Sequence, residues 1–330
     1  MRNFTFKGLF LTAVFMLLGC LSIQAADGDL ITRQITIKLD KAGTLPDRIG
    51  SSKKYKITNL KLVGEINGTD WNMIREMAGR NYQESSTEGN LSVLDLSEAK
   101  IVAGGDYYYD DNLFNNKVYT SNDEIGEYAF AYCSGLTSLT LPVGITSIGE
   151  FAFSGCSGLT SLTLPAGITS IGEYAFSGCS GLTSLTLPAG ITSIDKYAFS
   201  GCSRLTSLTL PAGITSIGEF AFSYCSGLTS IYVYAEKVPR IGRYAFEGCA
   251  SRKCTLYVPK GTYDNYRLSE FGYFENIVEF DATGIDKTTT STDVEEVSRY
   301  SLNGQRLAVP VKGLNIVKYS DGTVRKVVVK

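Results

Sequence analysis

Six cysteines set the frame for this chain. Cys133, Cys156, Cys179, Cys202 and Cys225 recur every 23 residues, and Cys249 follows after 24. Each stands in a near-identical run, read from Ile148 to Ser170 as I-G-E-F-A-F-S-G-C-S-G-L-T-S-L-T-L-P-A-G-I-T-S. Self-similarity at a fixed period of roughly 20–50 residues is the mark of a stacked-repeat architecture. One unit of that size cannot bury its own apolar face, so it buries it against its neighbours. Within a unit, Leu159-x-x-Leu162-x-Leu164 alternates as a strand does, Pro165 ends it and Ala166-Gly167 turns the chain. Ile168-x-x-Ile171 starts the return side, and Ile171, Phe176, Cys179, Leu182, Leu185 and Leu187 head the apolar columns of the core. Strands of successive coils should lie about 4.8 Å apart. The surface expected of such a stack is long and repetitive, not a catalytic cleft.

Composition removes several functions. A formal net charge of −2 over 330 residues gives no basic stripe for nucleic acid. The absence of histidine removes the commonest general base and metal ligand, and with them any Ser-His-Asp or Cys-His site within the chain. No nucleophile–base pair, metal cluster or phosphate loop is legible, so no catalytic, cofactor or metal residue is assigned and the chain reads as non-enzymatic. The cysteines share one column, which favours buried thiols acting as small hydrophobes. Disulfides between stacked coils, or between Cys249 and the off-column Cys254, are the alternatives.

The Leu-x-x-Leu-x-Leu strands, with Ile-Gly at 148–149, Ala-Phe at 152–153, Gly-Cys at 155–156 and Leu-Thr-Leu-Pro at 162–165, resemble the BspA-like leucine-rich repeat family of bacterial surface proteins. The expected fold is a leucine-rich repeat solenoid: a parallel β-sheet with short irregular return segments, about six regular coils, and caps at both ends. The resemblance implies adhesion to host proteins or other microbial cells.

Around the repeats we expect a signal peptide at 1–26, an N-terminal cap with atypical repeats at 27–123, regular repeats at 124–257, a C-terminal cap at 258–285, a Thr/Ser-rich linker at 286–293 and a small β-domain at 294–330. Arg2 and Lys7 precede the apolar run Gly8 to Leu18, with small residues for cleavage near Ala25 or Ala26. Leu17-Leu18-Gly19-Cys20 also resembles a lipobox, which would make Cys20 a lipidated residue and the only tie to a membrane. Either way the chain is exported, to the cell surface or medium, in association with an outer membrane. Asp70 to Met77 reads as a helix with Thr69 or Asp70 as N-cap and Gly79 closing it. Gly261 to Phe274 reads as a capping helix, followed by a strand at Asn276 to Phe280. Asn303-Gly304 and Asp321-Gly322 are hairpin signals. Their segment resembles the C-terminal β-domain of secreted Bacteroidetes proteins, including type IX sorting domains.

Candidate binding residues lie where the strand pattern points outward. The middle residues of Leu-x-Leu are Thr140, Thr163, Thr186, Thr209, Tyr232 and Tyr257, continuing from Lys61 and Asp95, with Tyr234 close by. The next outward row is Ser138, Ser161, Ser184, Ser207, Ser230 and Thr255. Threonine simply suits a strand; tyrosines at one end suggest a contact surface. Tyr107, Tyr108 and Tyr109, flanked by Asp106, Asp110 and Asp111, read either as an exposed binding insertion or as a loop tucked against the first coil. Glu127, Glu150, Glu173 and Glu219 form a column with Lys196 between the last two, and alternating charge there reads as a solvated ladder. The partner is a host-matrix or cell-surface protein, or alternatively a glycan captured for uptake; a structural role in the envelope is the remaining reading.

Overall fold

The leucines of each coil alternate inward, and that alternation builds the first side of the stack. A computed structural model describes residues 29–111, 116–282, 296–301, 306–307, 313–319 and 324–329. Strands Ser138–Thr140, Ser161–Thr163, Ser184–Thr186, Ser207–Leu210 and Ser230–Val233 repeat the same step. Pairing is parallel and in register, Leu139 beside Leu162 and Leu208 beside Ile231. Longer strands extend the row at both ends. Ile35–Leu39, Asn59–Ile66 and Val93–Ile101 precede it, and Thr255–Pro259 and Asn276–Phe280 follow. The chain is thus a leucine-rich repeat solenoid.

A second side consists of two-residue strands, from Glu124–Ile125 to Arg240–Ile241. Both sides break at the same place, between the coil of Ser161–Ile171 and that of Ser184–Ile194. The ladder hydrogen bonding pauses between Ser161–Thr163 and Ser184–Thr186, and between Ser170–Ile171 and Ser193–Ile194. The third side has turns in place of strands, and it runs on unbroken. Phe130, Phe153, Phe176, Phe199 and Phe222 each donate a backbone N–H, at 2.7–2.8 Å, to the alanine carbonyl of the next coil.

The core lies between these sides. Ile171, Phe176, Cys179, Leu182, Leu185 and Leu187 are all buried, as are their equivalents in neighbouring coils. The seven described cysteines are free thiols and buried, Cys254 included. Stacking gives each column thiol after Cys133 a partner. Cys156 Sγ donates to the Phe130 carbonyl at 3.0 Å, and Cys179, Cys202, Cys225 and Cys249 repeat this with Phe153, Phe176, Phe199 and Phe222. Burial pushes the Cys133, Cys156 and Cys179 thiols up, and their charged form is excluded with them.

The N-terminal helix spans Gly68–Met77, starting earlier than the sequence suggests. Its N-cap is Asn67, not Thr69 or Asp70. Asn67 Oδ1 accepts from Thr69 N at 3.1 Å, and Asp70 Oδ2 accepts from Asn67 N at 3.0 Å. Asp70 also accepts from Gly43 N and Leu45 N, tying the short helix Leu45–Ile49 to this one. Gly68 has no side-chain alternative, because a Cβ there would stand 1.9 Å from the Asp106 carbonyl oxygen. Gly79 follows the helix at φ 97°.

At the other end, the expected single helix is two pieces: Tyr263–Arg267 and a 3-10 turn at Glu270–Tyr273. Ser269 divides them. Its hydroxyl accepts from Phe271 N at 3.2 Å and so starts the second piece. Asn276–Phe280 then pairs parallel with Thr255–Pro259. Farther along, Glu296–Ser301, Arg306–Leu307, Gly313–Tyr319 and Val324–Val329 form an antiparallel sheet. The leader with Cys20, the 286–293 linker, and the Asn303-Gly304 and Asp321-Gly322 turns lie outside the described residues. Among the described residues, no helix is long and apolar enough to cross a membrane.

Candidate functional site

The outward row of the strand side is as the alternation requires. Thr140, Thr163 and Thr186 are exposed, and Thr209, Tyr232 and Tyr257 are half-buried. At its N-terminal end the row is neutralised, since Lys61 Nζ lies 3.3 Å from Asp95 and 2.7 Å from Glu98. In the middle, the break between coils leaves a shallow groove of about 380 Å³ lined by Ser161, Thr163, Ser184, Thr186 and Pro188. The middle of the row is therefore short hydroxyls.

Its C-terminal end differs. Register places Thr209 beside Tyr232 and Tyr232 beside Tyr257. The two tyrosine rings stack at 4.4 Å, 6° from parallel. Phe280, from the last strand, meets Tyr232 and Tyr234 edge-on at 6.0 and 5.1 Å. Tyr234 is 37% exposed, and Val278 continues the row at 46%. Burial, then Tyr257, pushes the Tyr232 phenol up. Four aromatic rings and a valine thus form an amphipathic patch at the end of a polar face.

The tyrosine insertion is a correction. Tyr108 and Tyr109 are 1% and 7% exposed and cannot serve as an external binding surface. They lie on the strand Gly104–Asp111, paired with Asn116–Thr120. Tyr108 Oη donates to the Glu127 carbonyl at 2.8 Å, and Tyr109 stacks on Tyr128 at 4.0 Å. Burial raises the Tyr108 phenol far above its ordinary value. Only Tyr107 stays partly open, between Tyr82, Tyr119 and the Lys117 ammonium. Of the two readings the sequence offers, the exposed one fails and the loop tucked against the first coil holds.

The carboxylate column faces solvent, with Glu127, Glu150 and Lys196 exposed and Glu173 and Glu219 half-buried. Lys196 lies beyond Glu173, so Glu127, Glu150 and Glu173 remain three carboxylates in succession. Burial, then Glu173 and Glu127, holds the Glu150 carboxyl above its usual range. Alternation does not relieve it.

One feature of the third side was missed in the sequence. Tyr128, Phe151, Tyr174, Tyr197, Phe220 and Tyr244 all sit at φ 53–58°, a left-handed backbone that bulky residues avoid. Each of the first five donates its N–H to a carbonyl of the next coil, such as Phe151 to Glu173 at 3.0 Å. The rings stack face to face at 4.6–5.1 Å. Strain of about 1–3 kcal/mol per residue persists only where surroundings over-determine it; here a hydrogen bond and two ring contacts per coil do so. The visible signal was an aromatic two residues before every Ala-Phe phenylalanine. The left-handed backbone that turns it outward was not legible.

Solved structures with matching sequence stretches are bacterial repeat proteins. A leucine-rich repeat protein of T. pallidum is 31% identical, over 42% of this chain and 63% of that one, with a TM-score of 0.39. A leucine-rich cell surface protein of Faecalibacterium prausnitzii A2-165 is 24% identical, over 63% and 50%, with a TM-score of 0.33. The pneumococcal vaccine antigen PcpA is 16% identical, over 70% and 61%, with a TM-score of 0.38. The chain therefore spans between half and two thirds of the length of these proteins. No curated protein matches it. Residues 123–253, carrying the cysteine column and the paired strands, match the BspA type leucine rich repeat region in six copies.

Proposed function

We propose that this chain is a non-enzymatic binding protein displayed outside the cell, and that it holds a protein partner on the strand side. The observation that carries the reading is the Tyr232–Tyr257 stack, flanked by Tyr234 and Phe280. Tyrosines anchor protein contacts because they bury a large ring and still hydrogen-bond at the tip. The Thr/Ser rows beside them add hydrogen-bonding groups held in register by the strands. The leader supports export, through cleavage near Ala25 or Ala26 or lipidation of Cys20. The repeat match supports a surface setting, and the C-terminal segment fits a sorting or attachment role. A host-matrix or cell-surface protein fits the extended face.

Surface plasmon resonance of the full chain over immobilised matrix proteins tests this. Saturable binding is expected. Loss of about tenfold or more in Tyr232→Ala/Tyr257→Ala, with unchanged circular dichroism, would place the contact at the patch. Equal loss in Glu150→Gln would place it elsewhere, and silence toward every matrix protein would favour a structural role in the envelope.

A further inference from the structure

Two ring stacks run through the same coils, and only one is closed by further rings at the C-terminal end. The inner stack, Phe130 to Phe246, ends against Phe271 at 5.7 Å and Phe274 at 5.3 Å. The outer stack ends at Tyr244, which has Phe220 on one face at 5.1 Å. Among the described residues no ring covers its other face. A half-open hollow of about 340 Å³ lies there instead, lined by Arg243, Tyr244, Phe246, Glu247, Glu270 and Tyr273. Tyr244 is 54% exposed and Tyr273 44%. The Tyr273 hydroxyl is fixed to the Cys249 carbonyl at 2.9 Å, which holds its ring in the wall. The Arg243 guanidinium lies over the Tyr244 ring, 5.8 Å from its centroid, a cation–π contact.

We infer that this hollow is a saccharide site, in which a pyranose ring packs against Tyr244 beside the Arg243 guanidinium. The argument has three parts. The volume falls in the range of about 300–1,000 Å³ that takes small molecules, whereas a flat protein contact needs no such recess. The face of Tyr244 carries the negative side of its ring quadrupole, which holds the Arg243 guanidinium at 5.8 Å and attracts the C–H face of a sugar in the same way. Arg243, Glu247 and Glu270 make no side-chain hydrogen bond or ion pair with the described residues, and they supply donors and acceptors of both kinds. Neighbouring hydroxyls of a pyranose satisfy both a guanidinium fork and a carboxylate, as an aromatic side chain of a peptide would not. The half-open shape lets a longer glycan leave toward solvent. The lining shares no residue with the Tyr232–Tyr257 patch, so the two proposals stand or fall separately.

The test is isothermal titration of the full chain with N-acetylglucosamine, galactose, mannose and fucose, with soluble oligosaccharides of these sugars, and with tyrosine- and tryptophan-containing hexapeptides. Saturable binding of at least one saccharide is expected, weakened about tenfold or more in Tyr244→Asn and in Tyr273→Ala and unchanged in Tyr232→Ala. Asparagine tolerates the left-handed backbone at 244, so that variant removes the ring with the least disturbance of the fold. The inference is overturned if no saccharide saturates below about 10 mM, if both variants bind as the parent does, or if only the peptides bind.

Discussion

Two columns of rings climb the same six coils, 4.6–5.5 Å apart from ring to ring, and their settings are opposite. The inner phenylalanines have ordinary backbone, are buried, and are closed at both ends. Trp71 caps them below at 5.2 Å, with its indole N–H on the Ala129 carbonyl. Phe271 and Phe274 cap them above. The outer rings sit on a left-handed backbone, half in water, closed by Tyr109 below and, above, by no further ring among the described residues but by the Arg243 guanidinium over Tyr244. A repeat thus fixes what every coil shares, while the caps decide whether a column ends as core or as surface. Arg75 shows how much the lower cap invests. Fully buried, it donates to the Tyr128, Ala129 and Asn81 carbonyls and lies 6.0 Å from the Tyr109 ring.

The sharpest way to break the inner side is with base. Thiols in an unfolded chain ionise near pH 8.5. Burial holds Cys133, Cys156 and Cys179 protonated, and Cys254 is pushed up to about 11. Above the unfolded value the unfolded state binds fewer protons, so stability falls as pH rises. Each such thiol steepens the fall by about 1.4 kcal/mol per pH unit. The urea midpoint of the full chain should be flat from about pH 7 to 8 and drop steeply past 9, and Cys179→Ala should soften the drop. A midpoint unchanged up to pH 10 would mean the column is not dry.

A second experiment separates the two columns directly. Phe176→Ala opens a cavity in a closed stack and should cost about 3–5 kcal/mol. Tyr174→Ala, two residues away, removes a half-exposed ring and should cost about 1 kcal/mol or less. Urea melts of the pair read the difference; equal losses would make the outer column core after all.

The smallest effect tests how rings and glycines fit together. The residue before each column cysteine has positive φ: glycine in four coils, Tyr132 and Tyr224 in the other two. A Cβ at Gly155 would stand 2.6 Å from the Tyr132 ring, whereas one at Gly178 meets only backbone at 3.6 Å. Gly178→Ala should therefore cost about 1 kcal/mol for the backbone alone. Gly155→Ala should cost about 1 kcal/mol more, recovered in Tyr132→Gly. Equal penalties would show that the Tyr132 ring moves aside freely.

Much of this was written in the chain. The 23-residue spacing placed Leu162, Leu185 and Leu208 inside and Thr163, Thr186 and Thr209 outside, because strand alternation has only two faces to choose from. The same spacing set the thiols in one buried column. The insertion at 104–120 was not legible in this way. Its Asp-flanked tyrosines read equally as surface or as a tucked loop, and Tyr108 and Tyr109 are buried because what covers them is Trp71, Arg75 and the first coil, far off in sequence.

By itself, then, the sequence determined the repeat, the inner columns and the row of outward residues, since each is a local periodicity copied from coil to coil. Only the tertiary structure decided which aromatics end as core and which as surface. That choice is made at the ends of the stack, where a coil has no next copy and must be met by residues with no period of their own.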